Sequence, residues 1–381
     1  MKTKRVLTVN LQPDMKTAES VYSDTNNLII PINTVLTGEI INKLKYYSIK
    51  SVKILVEEPS EESSEETAVV HDKAPTANEA QEKQNIYNPE YPTYFDRIHQ
   101  SEEFKTFEST LNTCITDFSK SVNRLVTESA DGIVDEMLNQ INSIIDKSRN
   151  PLHMLDMMQC MRDIDDQTYA HSINVSLISG VIGTWLHLSK DDLEVLLLSG
   201  MLHDIGKLRI SPETIHKPGK LTDEEFETIK RHPVFGHEIL NPKKLDKRIK
   251  LAALQHHERF DGSGYPFGLS GEQIDFFASI VAIADVYDAM TSARSYRKGI
   301  CPFPVLQQME YDKNLYNPTV LCKFLEHTVE AYVNTEVMLS TGEKGKVVLV
   351  NKNFISRPIV IAGNKTYDLS KDYNTQITAL I

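Results

Sequence analysis

The chain has 381 residues, 40% of them hydrophobic and 25% charged, and a net charge of −12. That length exceeds one compact domain and predicts two or three units. The acidic balance argues against a general binder of nucleic-acid polymers, which needs a cationic footprint, but it leaves room for a small anionic ligand held by local cations or metals.

The N-terminal stretch MKTKRVLTVNLQPDM carries basic residues but no long apolar run, so no signal peptide is expected. Residues 1–56 hold short Val-, Ile- and Thr-rich runs, RVLTVNL, NLIIPINTVLTG and SVKILV, which read as strands of a small β-rich or mixed domain. GEIINKLKYYSI between them reads as one short helix. Residues 57–90 are acidic and rich in Ser and Glu, too poor in large apolar residues to offset the entropy of ordering. They are expected to form a flexible linker, against the alternative of a solvated helix.

From residue 94 the apolar spacing becomes helical, in FKTFESTLNTCITDFSKSVNRLV and DGIVDEMLNQINSIIDKS, with Asp131 as the expected N-cap of the second segment. These helices could pair with a second copy of the chain or pack on their own chain. Residues 150–333 read as helices joined by polar loops, so 94–333 form one helical domain. Residues 334–381 alternate β-branched runs with Thr-Gly, Lys-Gly and Gly-Asn pairs, the pattern of a short antiparallel β extension. The fold class expected is mainly α, with β-rich ends. No run reaches the ~18 apolar residues of a membrane span. Cys114, Cys160, Cys301 and Cys322 lie far apart and read as free thiols, which suits a cytoplasmic protein.

The helical block carries His171, the pair His203-Asp204, His232, the pair His256-His257, and Asp285. The gaps are about one helix plus a connection, so each station can sit on a successive helix and point to one interior spot, as metal sites in helical bundles do. Imidazoles and carboxylates suit iron, manganese, zinc and similar divalent ions. This donor set exceeds what one catalytic metal needs, and two bridged metals fit it better.

HDIGK, HHERFDGSGYP and ADVYDAMTSARSYR resemble the HD-GYP family, a branch of the HD phosphohydrolases, over about residues 163–332. The resemblance implies a bacterial signalling phosphodiesterase that hydrolyses cyclic di-GMP to linear pGpG, which many members cut on to GMP. It implies that His171, His203, Asp204, His232, His256, His257 and Asp285 hold two divalent metal ions, iron or manganese, with Asp204 as the bridge. It makes Asp204 and Lys207 the catalytic pair, Lys207 lying one turn on from Asp204 and facing the scissile phosphate. Gly262, Gly264, Tyr265 and Pro266 form the loop over the ligand, and Arg294 and Arg297 meet its phosphates. Gln167 stands where members with a third metal carry Glu, which favours the two-metal type.

The motifs address phosphate and metal rather than base. A mixed cyclic GMP-AMP dinucleotide therefore remains an alternative substrate, and a module that binds the dinucleotide without turnover an alternative function. A signalling protein partner is compatible with the terminal domains, which carry no recognisable chemistry.

Overall fold

A computed structural model of the chain describes residues 2–7, 11–12, 15–19, 21–22, 28–30, 34–36, 40, 44, 51–56, 94–161, 167–215, 217, 219, 221–291 and 301–381. The chain divides into two compact units, Met1–Pro75 and Thr76–Ile381. The expected linker lies outside the described residues.

In the first unit, β1 (Lys2–Leu7), β2 (Lys16–Thr17) and β5 (Ser51–Val56) form an antiparallel sheet with β5 in the middle, Lys4 opposite Ile54. β3 (Val21–Tyr22) pairs with β4 (Leu28–Ile30). Leu36, Leu44, Val52 and Ile54 form its apolar centre. Ile40 and Leu44, the described residues of the expected helix, are helical.

The second unit begins with α1 (Tyr94–His99), α2 (Glu102–Thr127) and α3 (Ile133–Ile145). Ser101 caps α2 by accepting the Phe104 N–H. The apolar stripe of α2, including Phe104, Phe107, Leu111, Phe118 and Leu125, is buried in the core of its own unit. Asp131 does not cap α3. The chain enters that helix through Gly132 at φ 78°, a backbone region that glycine occupies without steric cost, and Asp131 instead accepts a hydrogen bond from Ser129.

The bundle continues with α4 (Pro151–Cys160), α5 (Gln167–Trp185), α6 (Lys190–Leu202), a 3-10 turn (Ile205–Arg209) and the short α7 (Pro212–Ile215). Then follow α8 (Asp223–Ile229), α9 (His232–Leu240), α10 (Lys247–Gln255), α11 (Phe276–Thr291), α12 (Pro302–Tyr311) and α13 (Pro318–Ala331). Helices α5 and α11 and the C-terminal half of α6 are buried on most faces, as expected of helices at the centre of a bundle.

Strands β6 (Glu336–Leu339), β7 (Lys344–Leu349), β8 (Ile359–Ala362), β9 (Lys365–Asp368) and β10 (Ile377–Leu380) form one antiparallel sheet in the order β10-β6-β7-β8-β9. Val337, Val347, Val360 and Ile377 join the same apolar core as Phe303 and Tyr332 of the helical region. Gly342 and Gly363 mark turns, as the sequence suggests. Lys344-Gly345 does not: Gly345 lies within β7, where a Cβ would come 2.5 Å from the Val360 side chain.

Candidate metal centre

Five of the stations sit at helix ends, not mid-helix. His203 and Asp204 follow the last turn of α6, His232 opens α9, and His256 and His257 follow α10. Only His171 on α5 and Asp285 on α11 project from within helices. Gly206 makes the convergence of two of these ends possible. A Cβ there would lie 1.9 Å from the His232 carbonyl oxygen and 2.4 Å from the Gly236 nitrogen, so only glycine lets the turn after Asp204 press against the start of α9.

The histidines have fixed faces. His203 Nδ1 lies 2.7 Å from the Gly200 carbonyl, His232 Nδ1 2.8 Å from that of Ile229, and His256 Nδ1 3.1 Å from those of Ala252 and Ala253. His171 Nδ1 lies 2.7 Å from Asp288 Oδ2. Carbonyls and carboxylates only accept, so each Nδ1 carries the proton and Nε2 faces the centre.

Those inward atoms fall into two sets on either side of Asp204. His171, His203 and Asp285 form one group of donor atoms, and His232, His256 and His257 another, each within 4.8 Å of one another. Asp204 Oδ1 lies 3.2 Å from His232 Nε2 and 3.8 Å from His256 Nε2. Oδ2 lies 3.4 Å from His203 Nε2 and 3.8 Å from His171 Nε2. His171 Nε2 meets Asp285 Oδ1 at 3.1 Å.

Three features fit this set to cations. His203 Nε2 and Asp204 Oδ1 are buried without a hydrogen-bond partner, an arrangement native proteins rarely leave uncompensated. His232 and His256 turn their Nε2 atoms toward each other at 3.1 Å with both Nδ1 positions already protonated, so two lone pairs face each other. A positive ion between them turns that repulsion into attraction. Lastly, the donors are nitrogen and oxygen only, the set for divalent iron, manganese or zinc.

At Asp204, His256 and His257 the electrostatics agree, whereas His171 must give up a proton to ligate. Burial opposes the Asp204 charge, yet Lys207 and His203 keep its pKa well below the usual carboxylate range. Burial and the neighbouring His203 and His232 hold His256 well below the ordinary imidazole value, and burial with His256 does the same for His257. These rings are neutral at pH 7, the form that ligates metals. At His171 burial also opposes charge, but hydrogen bonds to Asp285 and Asp288 outweigh it and push the pKa up to about 10.

Lys207 hydrogen-bonds Asp204 Oδ2. In the three-residue turn of a 3-10 helix, positions three apart eclipse, which places the lysine over the carboxylate. The Gly-Tyr-Pro loop folds back on the second histidine pair. Tyr265 stacks on His257 with ring centroids 4.7 Å apart and donates its backbone N–H to the His257 carbonyl. Gly264 lies so close to the segment after α10 that a Cβ would come 2.5 Å from Glu258 Cα. Gly262 turns at φ 83°, and the Tyr265–Pro266 bond is cis. Arg294 and Arg297 lie outside the described residues, as does the Gln167 side chain.

Sequence reasoning missed three residues. Asp288 orients His171. Gly206 permits the close approach described above. Glu258, 2% exposed, accepts the N–H groups of Phe267 at 2.8 Å and Leu269 at 2.9 Å and so anchors the loop. Asp288 had a signal, since three residues after Asp285 falls on the same helix face.

Residues 153–320 match the family model described as HD domain. The Gly264-Tyr265-Pro266 loop and the paired histidines carry the resemblance to the HD-GYP family. The chain is 34% identical over 223 residues to a cyclic di-GMP phosphodiesterase of Pseudomonas aeruginosa, covering 58% of this chain and 52% of that protein. It is 38% identical over 176 residues to a cyclic di-GMP phosphodiesterase response regulator of Xanthomonas campestris, covering 45% and 46%. It is also 39% identical over 145 residues to a 3′3′-cGAMP-specific phosphodiesterase of Vibrio cholerae, covering 38% and 34%. The chain spans about half the length, or less, of these curated relatives. No helix among the described residues is long and apolar enough to cross a membrane.

Proposed function

We propose that this chain is a metal-dependent phosphodiesterase that opens cyclic di-GMP to linear pGpG, in bacterial second-messenger signalling. The observation that carries the reading is the pair of donor sets flanking Asp204, with Lys207 on the same carboxylate. His171, His203, Asp204 and Asp285 would hold one ion, and Asp204, His232, His256 and His257 a second. Bound there, two divalent ions polarise the phosphate and supply a nucleophile at neutral pH. Iron or manganese suits these donors.

Lys207 brings a positive charge beside the centre, where it neutralises charge building on the phosphate and gives a proton to the departing 3′ oxygen. Tyr265 and Pro266 hold the loop against His257, and Gly264 lets that loop lie close. Arg294 and Arg297 orient the second phosphate. The relatives named above support the substrate class, and the likeness to a cGAMP-specific enzyme makes the mixed dinucleotide the second candidate.

The test is anaerobic purification, metal analysis, and turnover of cyclic di-GMP beside cyclic GMP-AMP. About two metal equivalents per chain and formation of pGpG are expected. Tight binding of the nucleotide by metal-replete protein, without turnover, would instead make the chain a receptor.

A further inference from the structure

A cavity of about 330 Å³ opens beside Asp204 and Lys207, and most of its wall is apolar. Its floor is Phe118 and Val122 of α2, both buried, with Met201 and Ile205 from the end of α6 and the turn after it. Tyr169 closes one side and meets the Phe118 ring edge-on, centroids 5.9 Å apart. Leu208, 43% exposed, and the half-buried Ile215 stand nearer solvent. The cavity opens to solvent, and a largely apolar cleft of this size next to the reacting groups has the character of a ligand site.

We propose that this cavity seats one purine base of the cyclic dinucleotide, and that Phe118 and Val122 are specificity-determining residues. The inference rests on the phosphodiesterase reading above. The volume is at the small end for ligand sites, right for one nucleoside half and too small for a whole cyclic dinucleotide. A mainly apolar lining suits a base, while Lys207 and Asp204 in the same lining mark where the adjoining phosphate lies. Phe118 and Val122 lie outside residues 153–320, so the HD domain by itself does not complete the seat. The helix ahead of the domain supplies the floor.

The experiment compares the metal-loaded full chain with Val122→Phe, which fills the cavity from its floor. Ile215→Phe fills it from the solvent side without touching the packing of α2. Two substrates are used: cyclic di-GMP, and bis(p-nitrophenyl) phosphate, a diester with no base. Each folded variant should raise KM for cyclic di-GMP by about tenfold or more, a common effect of misfit in an apolar pocket, with kcat/KM for the baseless diester unchanged within about twofold. An unchanged KM, or a parallel loss on both substrates, overturns the seat. A wild-type chain that cleaves the baseless diester but not cyclic di-GMP refutes the substrate reading itself.

Discussion

At the scale of single residues, the centre separates groups that hold from groups that orient and groups that react. Asp288 touches only the far side of His171, at 2.7 Å. Carboxylates in that position fix the ring and raise its basicity, and their loss costs about 10–100-fold in metal affinity. Asp288→Ala is therefore expected to weaken metal binding by that factor in a chelator competition while leaving the fold intact; unchanged affinity would make Asp288 a bystander. Lys207 differs. It contacts the Asp204 carboxylate but adds no donor to either set, since an ammonium has no lone pair to give. Lys207→Ala should retain its metals by elemental analysis and lose about 10²–10⁴-fold in kcat, the usual worth of a proton donor. Loss of metal and activity together would assign Lys207 to the ligand shell.

At the scale of elements, the site is a meeting of helix ends, and glycine sets how closely they meet. Gly206→Ala forces the turn after Asp204 away from His232, because the added Cβ would overlap the His232 carbonyl oxygen. Overpacking of this kind costs about 1–3 kcal/mol. Here it should also separate Asp204 from His232, so the variant is expected to lose metal more steeply than it loses melting temperature. A variant with wild-type metal content would show that the two elements can slip past one another. The same elements mark the limit of what could be read from sequence. The His and Asp stations were legible because each sits in a short local motif with chemistry of its own, and their even spacing suggested successive helices; apolar periodicity showed α2 and α3 but not the buried α5 and α11. The division of donors about the two oxygens of Asp204 was not, because it depends on how α6, α9, α10 and α11 cross. Asp131 looked like a cap because the residue type fits, but the positive φ of Gly132 decides where α3 begins. Lys344-Gly345 looked like a turn because nothing local reveals the Val360 side chain packed over the glycine.

At the scale of the whole molecule, one buried carboxylate ties distant parts of the second unit together. Asp156 on α4 is 1% exposed. It accepts the hydroxyl of Tyr94 from α1 at 2.6 Å and that of Tyr332, just after α13, at 3.0 Å. The adjoining Gln159 donates to Tyr287 at 2.8 Å, on the helix that carries Asp285 and Asp288. Burial pushes the Asp156 carboxyl up to about 6, although both tyrosine hydrogen bonds favour the ion. The consequence for stability follows from the direction of that shift. Below about pH 4 the group is protonated both folded and unfolded, and its ionisation costs nothing. Between about pH 4 and 6 the unfolded chain releases the proton while the folded chain keeps it, so the native state loses ground as pH rises. Above about pH 6 the penalty is complete, on the order of 2–3 kcal/mol from a shift of about two units. Asp156→Asn keeps the shape and an oxygen for one tyrosine but has no charge to bury. Relative to wild type, the variant should therefore gain stability by that amount as pH rises from about 4 to 7, measured as the difference in urea midpoints of the two chelator-treated proteins. A difference that stays flat across this window would mean that Asp156 is ionised in the folded protein as readily as in the unfolded chain, and that the tyrosine bonds fully offset its burial.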